Sequence, residues 1–218
     1  MTELLLKAIA SYLIGSLIGS LIVGKLRGGV DIRTLGSGNA GGTNALRTQG
    51  KSFALWVMLI DIGKGIIATR LIALLPLQGL GLTGAGVWRE WLPIVCGLAA
   101  IIGHVYPVWY GFRGGKGVAT LVGVVFGVEP ILLGVMLLVW LVMVVLFGYV
   151  GLASIVAALS LAIFVAATDM QPYAPLLSFG VAVAVLVAFT HRSNLARMRA
   201  GTEPRARRLW LLGRRRAS

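Results

Sequence analysis

"VATLVGVVFGVEPILLGVMLLVWLVMVVLF" occupies residues 118 to 147, and Glu129 is its one charged side chain. Pro130 follows directly. Proline lacks a backbone N–H and interrupts a helix, so the run holds either one tilted membrane span or two spans that turn at "VEP". That choice sets whether the chain crosses a bilayer six or seven times. A bilayer is the expected solvent, because 58% of the 218 residues are hydrophobic and only 12% are charged, against roughly 25% charged in soluble domains.

A spanning helix needs about 20 mostly apolar residues. Segments near 4–26, 52–76, 91–110, 117–128, 130–147, 151–168 and 173–190 meet or approach that length, the fourth being short. Basic residues gather on the cytoplasmic side of membrane proteins, which supplies a test independent of hydropathy. Five lysines and arginines lie between Lys25 and Lys51, two in 111–117 and nine after His191, sixteen of the 20 in the chain. Seven spans place all sixteen on one side; six would put the tail opposite Arg113. The expectation is therefore an all-α polytopic integral membrane protein with seven transmembrane helices, N-terminus outside and C-terminus inside, with a break at Pro130. Glu3 precedes Lys7 and no small-residue cleavage site follows the first apolar run, so that run is expected to be retained.

Cys96, the lone cysteine, sits in "LPIVCGLAAIIG" and reads as a small buried hydrophobe. No spacing suits a metal, so no metal site and no cofactor is expected. The net charge of +13 comes mostly from the tail and the basic loops. No nucleic-acid fold signature accompanies it, which excludes a nucleic-acid partner. The tail "RARRLWLLGRRRAS" reads either as an anchor on anionic membrane lipids or as a specific docking segment.

Polar residues are out of place in such a chain unless they serve a site, and they cluster in loops expected on the cytoplasmic face, at 27–51, 111–117 and 148–154 and from 191 onward. In "GSGNAGGTNALR" (36–47) the glycines free backbone amides to face a ligand. Ser37, Asn39, Thr43 and Asn44 add hydroxyl and amide donors, and Arg47 adds a planar fork suited to phosphate or carboxylate. The run is an anion cradle or a polar turn that caps the next helix. "GGKG", Gly114, Gly115, Lys116 and Gly117, reads as a phosphate contact or as a positive-inside lysine. It is no Walker loop, which needs a glycine separated by four residues from Gly-Lys and a hydroxyl after it; Tyr110 and Gly117 stand there.

His191 and Asn194 are three apart, on one face if the helix continues, and a histidine at an interface serves as base or donor. His104 reads as a locally hydrogen-bonded loop former or as a member of the site. Asp61 and Lys64, three apart in "DIGKG", read as a structural pair beneath the site, since burying both charges together costs less than burying one. "GSLIG" (15–19) reads as a close-packing motif.

The ordered motifs "GSGNAGGTN" with Arg47, "DIGKG", "GHVYPVWYGFRGGKGVAT", "YVGLAS" and "HRSNLARMRAGTE" resemble those of the bacterial membrane acyl-phosphate:glycerol-3-phosphate acyltransferase family, from span one to about Glu203. The resemblance implies an enzyme of the bacterial inner membrane with its active site on the cytoplasmic face. It would move a fatty acyl group from acyl phosphate to the sn-1 hydroxyl of glycerol 3-phosphate, giving lysophosphatidic acid and phosphate. Residues 1–190 would form one transmembrane catalytic domain and 191–218 a basic cytoplasmic segment. By motif position the family's substrate and catalytic residues fall on Ser37, Arg47, Lys116, His191 and Asn194. Asn39, Thr43, Asn44, His104 and Glu203 also match, Glu203 as support.

Three departures stand out. "SLIVG" lacks a proline often found in span one, Gly151 replaces a serine in "YVGLAS", and the 77–90 connection and final tail are longer than usual. The implied partners are acyl phosphate, glycerol 3-phosphate, membrane lipids and the enzyme that makes acyl phosphate. Acyl phosphate is already activated, so direct attack needs no acyl-enzyme; the base is His191 or a substrate phosphate oxygen. The rival class is a transporter of an organic phosphate, against which stand the lack of an apparent repeat and the one-sided placement of the polar clusters.

Overall fold

The computed structural model describes residues 1–77, 86–207 and 209–211. Most of the 77–90 connection and the terminal arginines 214–216 lie outside the described residues. Among the described residues all regular structure is helical. The α-helices are α1 (Thr2–Gly15), α2 (Gly19–Leu26), α3 (Gly42–Gln49), α4 (Lys51–Ile66), α5 (Leu92–Val105), α6 (Val118–Val128), α7 (Pro130–Phe147), α8 (Val150–Thr168), α9 (Tyr173–Thr190) and α10 (Arg192–Arg199). A π-helical segment, Ile67–Ile72, prolongs α4. Five helical stretches are long and apolar enough to cross a membrane, six if the bent pair α1 and α2 counts as one.

"VEP" divides the chain. Glu129 is extended, ending α6, and Pro130 takes the first position of α7, where its missing N–H leaves no intrahelical bond unmade. The contacts divide there too, into compact units Met1–Glu129 and Pro130–Ser218. α6 has 11 residues, about 16 Å at ~1.5 Å per residue.

In the first unit α1 lies against α5 and α4 against α6 with backbones in close approach. A side chain at Gly15 would strike the Ala100 backbone, and one at Gly123 the Ile62 carbonyl. Small residues at such crossings are the usual means of helix association where lipid removes the hydrophobic drive. "GSLIG" does more than pack a straight helix, because the helix breaks inside it. Ile18 is extended, and α1 and α2 meet at 44°. A break at membrane depth frees backbone groups that must find partners within the protein. Here α4 supplies them: Lys64 Nζ donates to the Leu17 carbonyl at 2.8 Å, and Gly19 N–H donates to Asp61 Oδ1 at 3.1 Å. Lys64 and Asp61 are themselves 2.9 Å apart and buried. A second buried pair, Lys7 with Glu3 at 2.7 Å, donates from Lys7 Nζ to the Ala73 carbonyl at 2.8 Å.

In the second unit α8 lies against α9, closely enough that a side chain at Gly180 would strike the Ala162 backbone; Ala153, Ala157, Leu161 and Val165 of α8 and Leu176, Phe179, Val183 and Val187 of α9 are all buried. Both sets recur every three or four residues, the period of one helix face. α7, of mean hydropathy 2.9 over its most apolar window, buries only 17% of it, as a lipid-facing helix should. After α10 the chain turns back on the start of α8: Ala206 N–H donates to the Gly148 carbonyl at 2.8 Å, and Trp210 Nε1 donates to the Leu146 carbonyl at 3.2 Å. The Arg205 guanidinium lies over the rings of Tyr149 and Trp210.

Candidate functional site

The first unit carries the two glycine-rich loops. Asn44, on α3, is 1% exposed and spends its whole amide on the loop before it. Nδ2 donates to the carbonyls of Ile32 and Leu35, each at 3.0 Å, while Oδ1 accepts the Ser37 N–H at 3.0 Å. Gly36 has φ +57 and lies so near Asn44 that any side chain would collide with Oδ1. From below, Ser20 Oγ of α2 donates to the Ala40 carbonyl at 2.9 Å. The outcome is a pinned loop that leaves Ser37, Thr43 and Arg47 exposed and Asn39 half-buried. Thr43 and Arg47 are four apart on α3, hence on one face.

Arg33 ties this loop to the next one. Its guanidinium grips Asp31, Nη2 to Oδ2 at 2.7 Å, and Nη1 donates to the carbonyls of Tyr110 and Arg113 at 3.3 and 3.0 Å. The guanidinium bound to the carboxylate holds Asp31 below the usual carboxylate value, and the carboxylate in turn raises Arg33. Tyr110 packs on Ile18, Leu21 and Ala40. Reading by residue type counts Arg33 only as positive-inside charge and passes over Asp31 and Ser20. Asp31 two residues before an arginine in a Gly-flanked loop is the local signal for such a turn.

The second loop is folded onto the end of α5. Gly115 N–H donates to the His104 carbonyl at 3.1 Å and Gly114 N–H to the Val105 carbonyl at 3.2 Å. A side chain at Gly114 would strike the His104 carbonyl and one at Gly115 the His104 ring at Nε2. Gly117, at φ +83, starts α6. Lys116 is half-buried on this frame and engaged within the protein. His104, 2% exposed, has Nδ1 2.8 Å from Lys64 Nζ and 3.4 Å from Asp61 Oδ1. Asp61, Lys64 and His104 thus form one buried cluster under the loop.

The second unit carries His191 and Asn194, both buried. His191 Nδ1 is 2.9 Å from the Val187 carbonyl. A carbonyl only accepts, so Nδ1 carries the hydrogen and a neutral ring has its lone pair on Nε2. Asn194 Nδ2 donates to Glu203 Oε1 at 2.6 Å, and Arg197 Nε donates to Glu203 Oε2 at 2.7 Å. Gly151 is the departure with a visible reason: a side chain there would press on Asn194 Cβ at 2.9 Å. Ser37, Asn39, Thr43, Asn44 and Arg47 therefore share a loop and helix fastened to that of Gly114, Gly115, Lys116, Gly117 and His104. His191, Asn194 and Glu203 form their own group in the other unit.

Fold and site together define a class, a polytopic helical membrane protein with a glycine-framed basic loop pair. Residues 5–201 match the family model for glycerol-3-phosphate acyltransferase, and the chain belongs to that family. It is 39% identical to the glycerol-3-phosphate acyltransferase of Chlorobaculum tepidum, over 90% of this chain and 94% of that one. With that of Aquifex aeolicus it shares 39% identity over 90% and 96%. The crystal structure of PlsY, an integral membrane glycerol 3-phosphate acyltransferase, in its glycerol 3-phosphate form superposes with a TM-score of 0.78 at 37% identity, covering 93% of this chain and 94% of that one. Its lysophosphatidic acid form gives 0.77, at the same identity and coverage.

Proposed function

We propose that this protein transfers a fatty acyl group from acyl phosphate to the sn-1 hydroxyl of glycerol 3-phosphate, releasing lysophosphatidic acid and phosphate, the first acylation of phospholipid synthesis. The observation that carries this reading is the Arg33 tie, which fastens the cation-bearing Ser37–Arg47 segment to the Lys116 loop within one unit. Two phosphorylated substrates, one with a lipid tail, call for cations and oriented donors beside apolar helices.

In this reading Arg47, Lys116 and Ser37 hold phosphate oxygens. Asn39, Thr43, His104 and the amides of Gly114, Gly115 and Gly117 add donors, and Asn44 keeps the loop in shape. Donors fixed before substrate arrives stabilise the developing charge without reorganising. His191 and Asn194 orient the glycerol hydroxyl, with Glu203 holding Asn194. The hydroxyl oxygen attacks the acyl carbonyl, the carbon–oxygen bond to phosphate breaks, and phosphate leaves. The hydroxyl proton goes to His191 Nε2, whose lone pair suits a base, or to a substrate phosphate oxygen. Asp61 and Lys64 support the site from beneath.

The topology proposed with it has seven crossings, α6 being the short one, with the N-terminus outside and both loops and the C-terminus in the cytoplasm of a bacterium's inner membrane. The basic-residue count supports it. Residues 1–190 are the catalytic transmembrane domain and 191–218 the basic segment, a place for contact with the enzyme that makes acyl phosphate. The test is phosphate release by purified protein given palmitoyl phosphate and glycerol 3-phosphate. Release should need both substrates, yield lysophosphatidic acid and fall at least a hundredfold in Arg47→Ala, about the loss of one charge-assisted bidentate contact. Uptake of glycerol phosphate into liposomes without product would overturn it in favour of a transporter.

A further inference from the structure

Lys64 Nζ has three neighbours: Asp61 Oδ1 at 2.9 Å, the Leu17 carbonyl at 2.8 Å and His104 Nδ1 at 2.8 Å. An ammonium has hydrogens to give and no lone pair. Whatever it bonds must accept, so beside a Lys64 ammonium the His104 ring is neutral, with its lone pair on Nδ1 and its hydrogen on Nε2. That Nε2 faces the loop and abuts Gly115, where any side chain would collide with it. The opposite tautomer would turn a lone pair toward the loop, and a lone pair repels an anion. Buried ion pairs are seldom retained for stability alone, and fixing one arrangement among several is their best attested use.

We infer that Asp61 and Lys64 are positioning residues that lock His104 as an Nε2–H donor to a phosphate oxygen bound at the Gly114–Gly117 loop. The ligand half rests on reading that loop as part of the acyltransferase site; the tautomer half does not. The Asp61 carboxylate holds the ammonium, the ammonium holds Nδ1, and the ring presents its remaining hydrogen to the loop. His191 is the counterpart of opposite sense, its Nδ1 hydrogen spent on the Val187 carbonyl at 2.9 Å.

The chain has two histidines, which makes nitrogen NMR of ¹⁵N-histidine-labelled protein in lipid a direct readout, with His191→Gln assigning the signals. In the otherwise unaltered protein at neutral pH, His104 should show a protonated Nε2 and a pyridine-like Nδ1, and Nε2 should shift when glycerol 3-phosphate is added. The double variant Asp61→Asn/Lys64→Met removes both charges together and leaves neither buried alone. In it His104 should become a mixture of tautomers and KM for glycerol 3-phosphate should rise about tenfold, the loss of one hydrogen bond to a charged group, with a smaller change in kcat. A wild-type His104 protonated on Nδ1, or on both nitrogens, overturns the inference whether or not the variant folds. An Nε2 signal indifferent to glycerol 3-phosphate in protein that turns over also overturns it. Protein without acyl transfer whose Nε2–H still responds to the phosphate would sink the proposed function and uphold this inference.

Discussion

Removing the Asn44 amide should open the loop that carries Ser37. Asn44 is almost wholly buried and makes three hydrogen bonds of 3.0 Å, two given and one received. In Asn44→Ala the carbonyls of Ile32 and Leu35 and the N–H of Ser37 lose their partner together. At about 1 kcal/mol net for each bond, the loop loses about 3 kcal/mol of order, about two powers of ten in its folded population at ~1.4 kcal/mol per decade. The transmembrane helices lose nothing directly, so the damage should appear in KM for glycerol 3-phosphate while the melting temperature stays close to wild type. Initial rates of phosphate release across a glycerol 3-phosphate titration, beside a thermal unfolding scan in the same detergent, measure both. Asn44→Asp keeps the volume and the acceptor for Ser37 but sets a carboxylate oxygen against two carbonyls. It should do at least as much harm. Wild-type KM and kcat in either variant would refute the view that this amide holds the loop.

Gly115→Ala should cost at least tenfold in activity, because its methyl group must displace the His104 ring from under the loop; a wild-type rate would show that the ring is not confined there. Glu203→Gln can accept from Asn194 or Arg197 but turns an amide toward the other, so kcat should fall about tenfold, one hydrogen bond to a charged group, with the melting temperature little changed. The Asp31–Arg33 contact sets an acid limit. The Arg33 guanidinium keeps the folded carboxyl below the usual carboxylate value, so its contribution is present above that usual value and fades as pH falls through the lower folded one. Measured against the intrinsic exchange rate at each pH, protection of the 31–35 amides should therefore fall below about pH 4, the carboxylate range, and should be low at all pH in Asp31→Asn; the same pH-dependent protection in Asp31→Asn would remove the carboxylate as the cause.

Much of the fold was legible because bilayer-spanning helices are written as apolar runs with few alternatives. The expected segments at 130–147, 151–168 and 173–190 differ from α7, α8 and α9 by at most one residue, and the turn at "VEP" is where the two compact units divide. The first run was less legible. Nothing in residues 4–26 demands a break; Gly15 and Gly19 read equally well as packing positions in one straight helix. The loops were legible as chemistry but not as carpentry. Residue type singled out Ser37, Asn44 and Arg47 together, whereas the structure leaves Ser37 and Arg47 exposed and buries Asn44 as the pin.

By itself, then, the sequence determined that the chain is a helical membrane protein, where helices α6 to α9 begin and end, and which loops concentrate hydrogen-bonding and cationic groups. Those properties are local, set by twenty-residue runs of hydropathy and by side-chain type. Only the tertiary structure decided that the first run breaks at Ile18, that Asp61 and Lys64 satisfy the backbone groups so freed, and that Arg33 joins two loops almost 80 residues apart. A polar group withdrawn from water must find its partner wherever the packed chain brings one, and that partner is not recorded among its neighbours in sequence.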